Sequence, residues 1–301
     1  MYLITFLESS HIQSNQPRTG LLDGDTSEVV DLSQTVPGLP KSIIELVTLG
    51  ESVFPVMRQA LQSGMGRLPL SAVKLLAPIP KPVRNILCVG KNYPEHVKEV
   101  QSVVASASDN KGVAPKQPII FTKATSSVIG PGDNIPAWLD DTASVDYEGE
   151  LAVVIGPGGR GITRDKAMQH IYGYTIVNDV TSRRIQKQHQ QWFLGKSLDG
   201  FCPMGPCLAT RDEIADVSAL RVQTHVNGEL RQDGYVREMI FDISTLIETL
   251  SKCMTLETGD IIATGTPAGV GMGFKPPKFL NKGDRVSVTI EPIGTLENGV
   301  E

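Results

Sequence analysis

Aromatic side chains make up only 5% of the 301 residues, and no apolar run approaches the roughly 20 residues of a membrane-spanning helix. The opening MYLITFLESSH has no basic segment followed by a long apolar one, so no secretory signal is expected. Basic charge is not in excess either. Lys and Arg number 28 against 33 Asp and Glu, a net charge of -5, which argues against a broad basic surface for nucleic acid. The four cysteines, Cys88, Cys202, Cys207 and Cys253, are scattered without a Cys-x-x-Cys, so neither a disulfide framework nor a zinc spacing is present and reduced thiols are expected. These absences point to a cytoplasmic protein with no membrane insertion and no nucleic-acid partner. With 40% hydrophobic and 20% charged residues, the chain is rich enough in core formers to exclude disorder.

What the chain has in quantity is turn formers, 29 Gly and 20 Pro. Three prolines interrupt LLAPIPKPVRN, residues 75–85, and divide a small N-terminal α/β domain, residues 1–77, from a larger domain, residues 78–301. The first part offers the strand-like runs YLITFL and EVVDLS and helical stretches near Lys41 to Leu49 and Val53 to Ser63. The second is β-rich: NILCVG, PIIFTK, ELAVVIG, GYTIVND, LRVQTHV, DIIATG and RVSVTIEP all read as strands. Asn227-Gly228 between alternating runs predicts a hairpin. Helices are expected in TRDKAMQHI, after Thr163, and in DISTLIETLSKCM, after Asp242. Many strands with few helices predict an α+β protein built on a closed or rolled mixed sheet. Residues 102–116, SVVASASDNKGVAPK, are polar and aperiodic, either a functional lid or a plain insertion.

Carboxylates gather at two places. Asp146, Glu148 and Glu150 alternate into an apolar strand, which puts all three on one face, solvated or neutralised by a cation. A second apolar strand delivers Asp179 to its C-terminal end, where an aspartate also suits a helix start. Oxygen donors from two strands suit Mg²⁺ or Mn²⁺ better than Zn²⁺. Arg183 and Gln186, three apart on a helix face, and Lys196 are the nearby groups able to meet an anion. Gly195-Lys196-Ser197 imitates the end of a phosphate-binding loop, but Gln190 stands where its first glycine belongs, which excludes that motif. In GKNYPEHVKE a strand ends and Pro94 opens a helix that sets His96 beside Glu99 at i,i+3, either a solvated pair or an oriented general base. Thr264 to Gly271 follow a strand as a glycine-rich loop whose successive N–H groups can cradle a carboxylate or serve only as a tight turn.

The segments GKNYPEHVKE, DYEGELAVVIG, GYTIVNDVTSRRIQ, WFLGKSLDGFCPMGP, VNGELRQ and GDIIATGTPAGVG occur in an order that resembles bacterial members of the fumarylacetoacetate hydrolase superfamily. The resemblance spans about residues 80–295. It implies a C-terminal mixed β-roll, a homodimer, and Mg²⁺ or Mn²⁺ held by Glu148, Glu150 and Asp179. It also implies a His96/Glu99 catalytic dyad, a catalytic Lys196, and substrate contacts from Arg183, Gln186, Lys196 and Thr266, with residues 102–116 continuing a lid. Family substrates share a 2-oxo acid or its enol. The activity expected first is decarboxylation of oxaloacetate to pyruvate and CO₂. Hydrolysis of acylpyruvates and isomerisation or tautomerisation of 2-hydroxydienoates are the alternatives, and a non-enzymatic scaffold ranks below all of them.

Overall fold

An uninterrupted apolar run such as Leu151 to Ile155 is stable as a strand only where both of its faces are covered. That is its situation here. In the computed structural model, which describes residues 1–9, 16–24, 26–103 and 114–301, Leu151, Val153 and Ile155 enter one core while Ala152 and Val154 enter another. Most of the expected lid segment, residues 102–116, lies outside the described residues.

The N-terminal stretch forms β1 (Tyr2–Glu8), β2 (Arg18–Asp23), β3 (Glu28–Asp31), α1 (Leu32–Thr35), α2 (Ile43–Leu49), α3 (Phe54–Gln62), β4 (Arg67–Pro69) and β5 (Val73–Leu76). After the proline-rich segment come β6 (Ile86–Gly90), α4 (Pro94–Val103), β7 (Ile119–Lys123), β8 (Val128–Ile129), β9 (Val145–Asp146), β10 (Gly149–Ile155) and β11 (Ile171–Asn178). The remainder is β12 (Thr181–Ser182), α5 (Arg183–Gln188), α6 (Phe193–Lys196), β13 (Cys202–Thr210), β14 (Arg221–Val226), β15 (Glu229–Tyr235), α7 (Ile243–Cys253), β16 (Ile261–Ala263), β17 (Arg285–Ile290) and β18 (Gly294–Gly299).

The expected mixed sheet is present. Twelve strands join in one sheet whose main path runs β4-β3-β2-β1-β13-β11-β10-β16-β6-β7, with β5 on β1 and β8 on β13. The β16–β6 and β13–β8 pairs are parallel and the other pairs antiparallel. A four-stranded sheet, β15-β14-β17-β18, covers one face: Val222, Val288, Ile290 and Leu296 meet Leu151, Val153 and Ile176. On the opposite face α2 and α3 bring Ile43, Leu46, Phe54 and Met57 against Ala152, Val154 and Val177. Residues 1–77 thus supply strands to the same sheet and helices to its cover. Among the described residues no helix is long and apolar enough to cross a membrane.

Local signals act as expected at several points. Asn227 and Gly228 take φ of 52° and 80°, the double left-handed turn that matches strand twist in a hairpin. Asp242 caps α7 by accepting from Thr245 N at 2.8 Å, and Ile243, Leu246, Ile247 and Leu250 form its buried stripe. Two segments differ. TRDKAMQHI makes only a 3₁₀ turn, Ala167–His170, because Gly161 and Ile162 are tied to Ser251 and β11 begins at Ile171. CPMGPCLAT is a central strand, β13, despite Pro203 and Pro206. Its register against β11 shifts between Tyr174 and Ile176, so a bulge falls where Pro206 has no N–H to donate.

Candidate active site

Where β10 begins and β11 ends, the antiparallel ladder brings two chain segments together with Gly149 opposite Asn178. The ladder continues one step further in side-chain form: Glu148 N donates to Asn178 Oδ1 at 3.0 Å and Asp179 N to Glu148 O at 2.8 Å. This fixes Glu148 and Asp179 side by side, and Glu150 lies next to them on β10. Oxygens of the three buried carboxylates all lie within 4.8 Å of one another, so the three expected metal ligands are brought together. Asp146 goes elsewhere. The strand is interrupted at Tyr147 and Glu148, and Asp146 accepts from Gly271 N at 2.6 Å, Met272 N at 3.0 Å and Arg183 Nε at 2.8 Å. Simple alternation gave no means of separating it from the two glutamates.

Three cations face the cluster. Lys196 Nζ lies 2.6 Å from both Glu148 Oε2 and Asp179 Oδ2, and 5.1 Å from the Phe121 ring centre. Arg183 Nη1 lies 2.6 Å from Glu148 Oε1, while its Nη2 is buried without a hydrogen-bond partner among the described residues. The third is Lys123, which the sequence did not single out. Fully buried at the end of β7, its Nζ lies 2.7 Å from Asp179 Oδ1 and donates to Val180 O and Lys196 O. Only the last apolar residues of PIIFT precede it in sequence, and a strand-end lysine is ordinarily solvated.

The charges divide the carboxylates. Burial pushes the Glu148 carboxyl up, but Lys196 and Arg183 beside it reverse this and hold it well below the usual carboxylate range. Burial likewise pushes Glu150 up, and there the negative charges of Asp179 and Glu148 add to the rise. Burial opposes the Lys196 charge, yet Asp179 and Glu148 leave its pKa above the ordinary lysine value.

The dyad forms as expected: His96 Nδ1 lies 3.1 Å from Glu99 Oε2 on the first turns of α4. His96 is among the groups whose charge acts on Glu148, which places the dyad within electrostatic reach of the cluster. The glycine-rich loop does cradle carboxylates, and they are the protein's own. Gly265 N donates to Glu150 Oε2 at 2.8 Å, Gly269 N to Glu99 Oε1 at 2.9 Å, and Gly271 N with Met272 N to Asp146. The path demands glycine at Gly269, and just beyond the loop Gly273 leaves no room for a side chain. Gly269 has φ of 105°, in the region that favours glycine, and a Cβ on Gly273 would stand 2.1 Å from Glu99 Oε1. Thr266 Oγ1 donates to Gly149 O at 2.9 Å and accepts from Gln232 Nε2 at 2.7 Å, strapping the loop onto the start of β10. Gln186 is half-buried on α5, its backbone packed against Gly195 immediately before Lys196.

Oxygen-only donors, buried and converging from two strand ends, fit a hard divalent cation such as Mg²⁺ or Mn²⁺. Residues 85–301 match the fumarylacetoacetate (FAA) hydrolase C-terminal family, and the chain belongs to that family. It is an enzyme of the fumarylacetoacetate hydrolase superfamily. Among curated relatives, the oxaloacetate tautomerase YisK of Bacillus subtilis is 50% identical over 275 residues, 89% of this chain and 88% of that protein. Among solved structures, a fumarylacetoacetate hydrolase from the psychrophile Exiguobacterium antarcticum is 41% identical with a TM-score of 0.81, covering 99% of each chain. A maleylpyruvate hydrolase from Sphingobium, solved with manganese(II) and pyruvate, is 29% identical with a TM-score of 0.76, covering 100% of this chain and 98% of its own.

Proposed function

We propose that this enzyme acts on oxaloacetate, moving the proton at C3 to interconvert its keto and enol forms. The observation that carries this is the placement of an oriented His96/Glu99 pair within reach of a carboxylate cluster ringed by Arg183 and Lys196. The similarity to an oxaloacetate tautomerase supports the substrate. A divalent metal held by Glu148, Glu150 and Asp179, Mg²⁺ or Mn²⁺, supplies Lewis-acid polarisation of a 2-oxo acid when bound.

The chain's own groups perform the rest. Glu99 engages His96 Nδ1 and leaves Nε2 as the basic nitrogen. His96 takes the C3 proton while the C–H electron pair moves into the C2–C3 bond and the carbonyl pair moves onto the 2-oxo oxygen. Returned to that oxygen, the proton gives the enol with no atom gained or lost. Lys196 faces the developing negative charge, and Arg183 Nη2, without a partner among the described residues, is available for a substrate carboxylate. Gln186 and Thr266 lie on the segments that border this space.

The same electron sink serves decarboxylation. There the C3–C4 pair moves into the C2–C3 bond, CO₂ leaves, and protonation at C3 yields pyruvate. The ring of cations favours this second reading because it stabilises the enolate without requiring a base. Acylpyruvate hydrolysis would instead use His96 to activate water. The four free thiols, three of them buried, support a cytoplasmic setting. The family resemblance supports a homodimer, which light scattering tests.

Enol absorbance and pyruvate release followed together, on EDTA-treated protein resupplied with Mn²⁺ or Mg²⁺, provide the test. The expected result is metal-dependent acceleration of the enol–keto change on oxaloacetate. Turnover of acylpyruvates with none on oxaloacetate would overturn the proposal.

A further inference from the structure

All four oxygens of Glu148 and Asp179 already face cations of the chain: Arg183 at Glu148 Oε1, Lys196 at Glu148 Oε2 and Asp179 Oδ2, and Lys123 at Asp179 Oδ1. A metal ion therefore enters a cluster in which both of these carboxylates already have cations beside every oxygen. The three cations are not equally committed. Arg183 is anchored through Nε to Asp146, and Lys123 through Val180 O and Lys196 O. Lys196 Nζ has only the two carboxylates as polar partners among the described residues, with the Phe121 ring beside it. Its ammonium spans the two oxygens that face each other across the cluster, in the place a shared divalent ion would take.

We propose that Lys196 is the resident counter-ion of this cation site, the group a divalent metal displaces from the Glu148–Asp179 pair. The displaced ammonium then turns to the anionic substrate. This rests on the metal-centre reading above and adds an order of events to it. With every group ionised, Asp146, Glu148, Glu150 and Asp179 outweigh Arg183, Lys123 and Lys196 by one negative charge, which repels a dicarboxylate. A bound dication turns that excess positive and releases an ammonium at the same moment. Metal binding and 2-oxo acid binding are then positively coupled through one side chain, and each tightens the other reciprocally.

The test measures Mn²⁺ binding to metal-stripped protein by electron paramagnetic resonance and calorimetry, for wild type, Lys196→Met and Lys196→Gln, with and without oxalate as an anionic probe. Loss of the competing charge is expected to tighten Mn²⁺ by about tenfold or more. Oxalate should tighten Mn²⁺ in wild type and much less in either variant. Equal or weaker Mn²⁺ binding in a variant that retains the native circular-dichroism spectrum would overturn the inference, with Lys196→Gln deciding the matter if Lys196→Met does not fold. Wild type binding Mn²⁺ without these changes removes this inference alone. Absence of Mn²⁺ binding in all three proteins removes the metal-centre reading with it.

Discussion

The carboxylate cluster and the His96/Glu99 dyad are neighbours built on different principles. Glu148 and Asp179 extend a strand ladder, with backbone partners across β10 and β11 and a core on both sheet faces. The dyad rides on the first turns of α4, and Glu99 meets the body of the protein through Gly269 N and the close approach of Gly273. The groups that hold charge are fixed by the sheet before any ligand arrives. His96 and Glu99 are steadied by a loop instead, so their geometry can be disturbed without disturbing the cluster.

The largest expected effects come from the cluster itself. Glu148→Ala and Asp179→Ala should each reduce oxaloacetate turnover to background. They should also destabilise the metal-free protein, because buried Lys196 and Arg183 or Lys123 lose their partner, a change of about 3–5 kcal/mol when one member of a buried pair is removed. Denaturant titration of stripped protein checks this, and unchanged midpoints would mean the cations relax to solvent. Glu150→Gln should abolish activity equally but leave the metal-free protein as stable or more so at neutral pH. The Glu150 pKa is raised on folding, so its protonated form is favoured in the native state. Stability is therefore lost as pH rises above the ordinary carboxylate range towards the raised value, and the variant should flatten that loss. Glu148 is shifted downward. Its contribution is present above the ordinary carboxylate range and disappears as pH falls towards its native value.

On the dyad side, His96→Ala should lower enol–keto interconversion by about 10²–10⁴-fold with Mn²⁺ affinity nearly unchanged. Release of CO₂ from oxaloacetate should fall less, and equal losses would show that the dyad organises the site rather than transferring a proton. Gly273→Ala sharpens the contrast further. Its methyl group must push Glu99 aside, so kcat should fall about tenfold, as for a weakened base, with a displaced pH profile and wild-type Mn²⁺ binding. Weakened Mn²⁺ binding in that variant would mean the two regions are one mechanical unit. The smallest effect is expected from Asp146→Asn, which keeps one acceptor oxygen for Gly271 N but replaces the oxygen that accepts from Met272 N and Arg183 Nε, and removes the charge beside Arg183. A rise of a few-fold in KM, measured on oxaloacetate, is the outcome if Arg183 acts on substrate.

Much of this was legible in the chain. Continuous apolar runs marked β10 and β11 because a strand covered on both faces needs no alternation, and the His96/Glu99 pairing follows from helical spacing alone. Asp146 was ambiguous because its fate is decided by Arg183 and the Gly271 turn, 37 and 125 residues away. Lys123 was invisible for a related reason: its burial depends on Val180 O and Lys196 O, 57 and 73 residues distant. The glycine loop stayed open between a cradle of N–H groups and a tight turn, because spacing says nothing about whether a carboxylate lies in it or whose. β13 was not among the expected strands, and the bulge that accommodates Pro206 depends on its neighbour β11.

The loop from Gly265 to Met272 works as a ruler. Within eight consecutive residues it presents donors to Glu150, Glu99 and Asp146, which stand in the carboxylate cluster, beside His96 and beside Arg183. An insertion or deletion of one residue would put at least one of these three out of step with the others. Sequence change in this stretch is therefore confined to side chains that leave the backbone path alone. Positions such as Phe121, whose ring lies beside Lys196 and 5.2 Å from that of Trp192, bear none of that registration and can vary without shifting the loop.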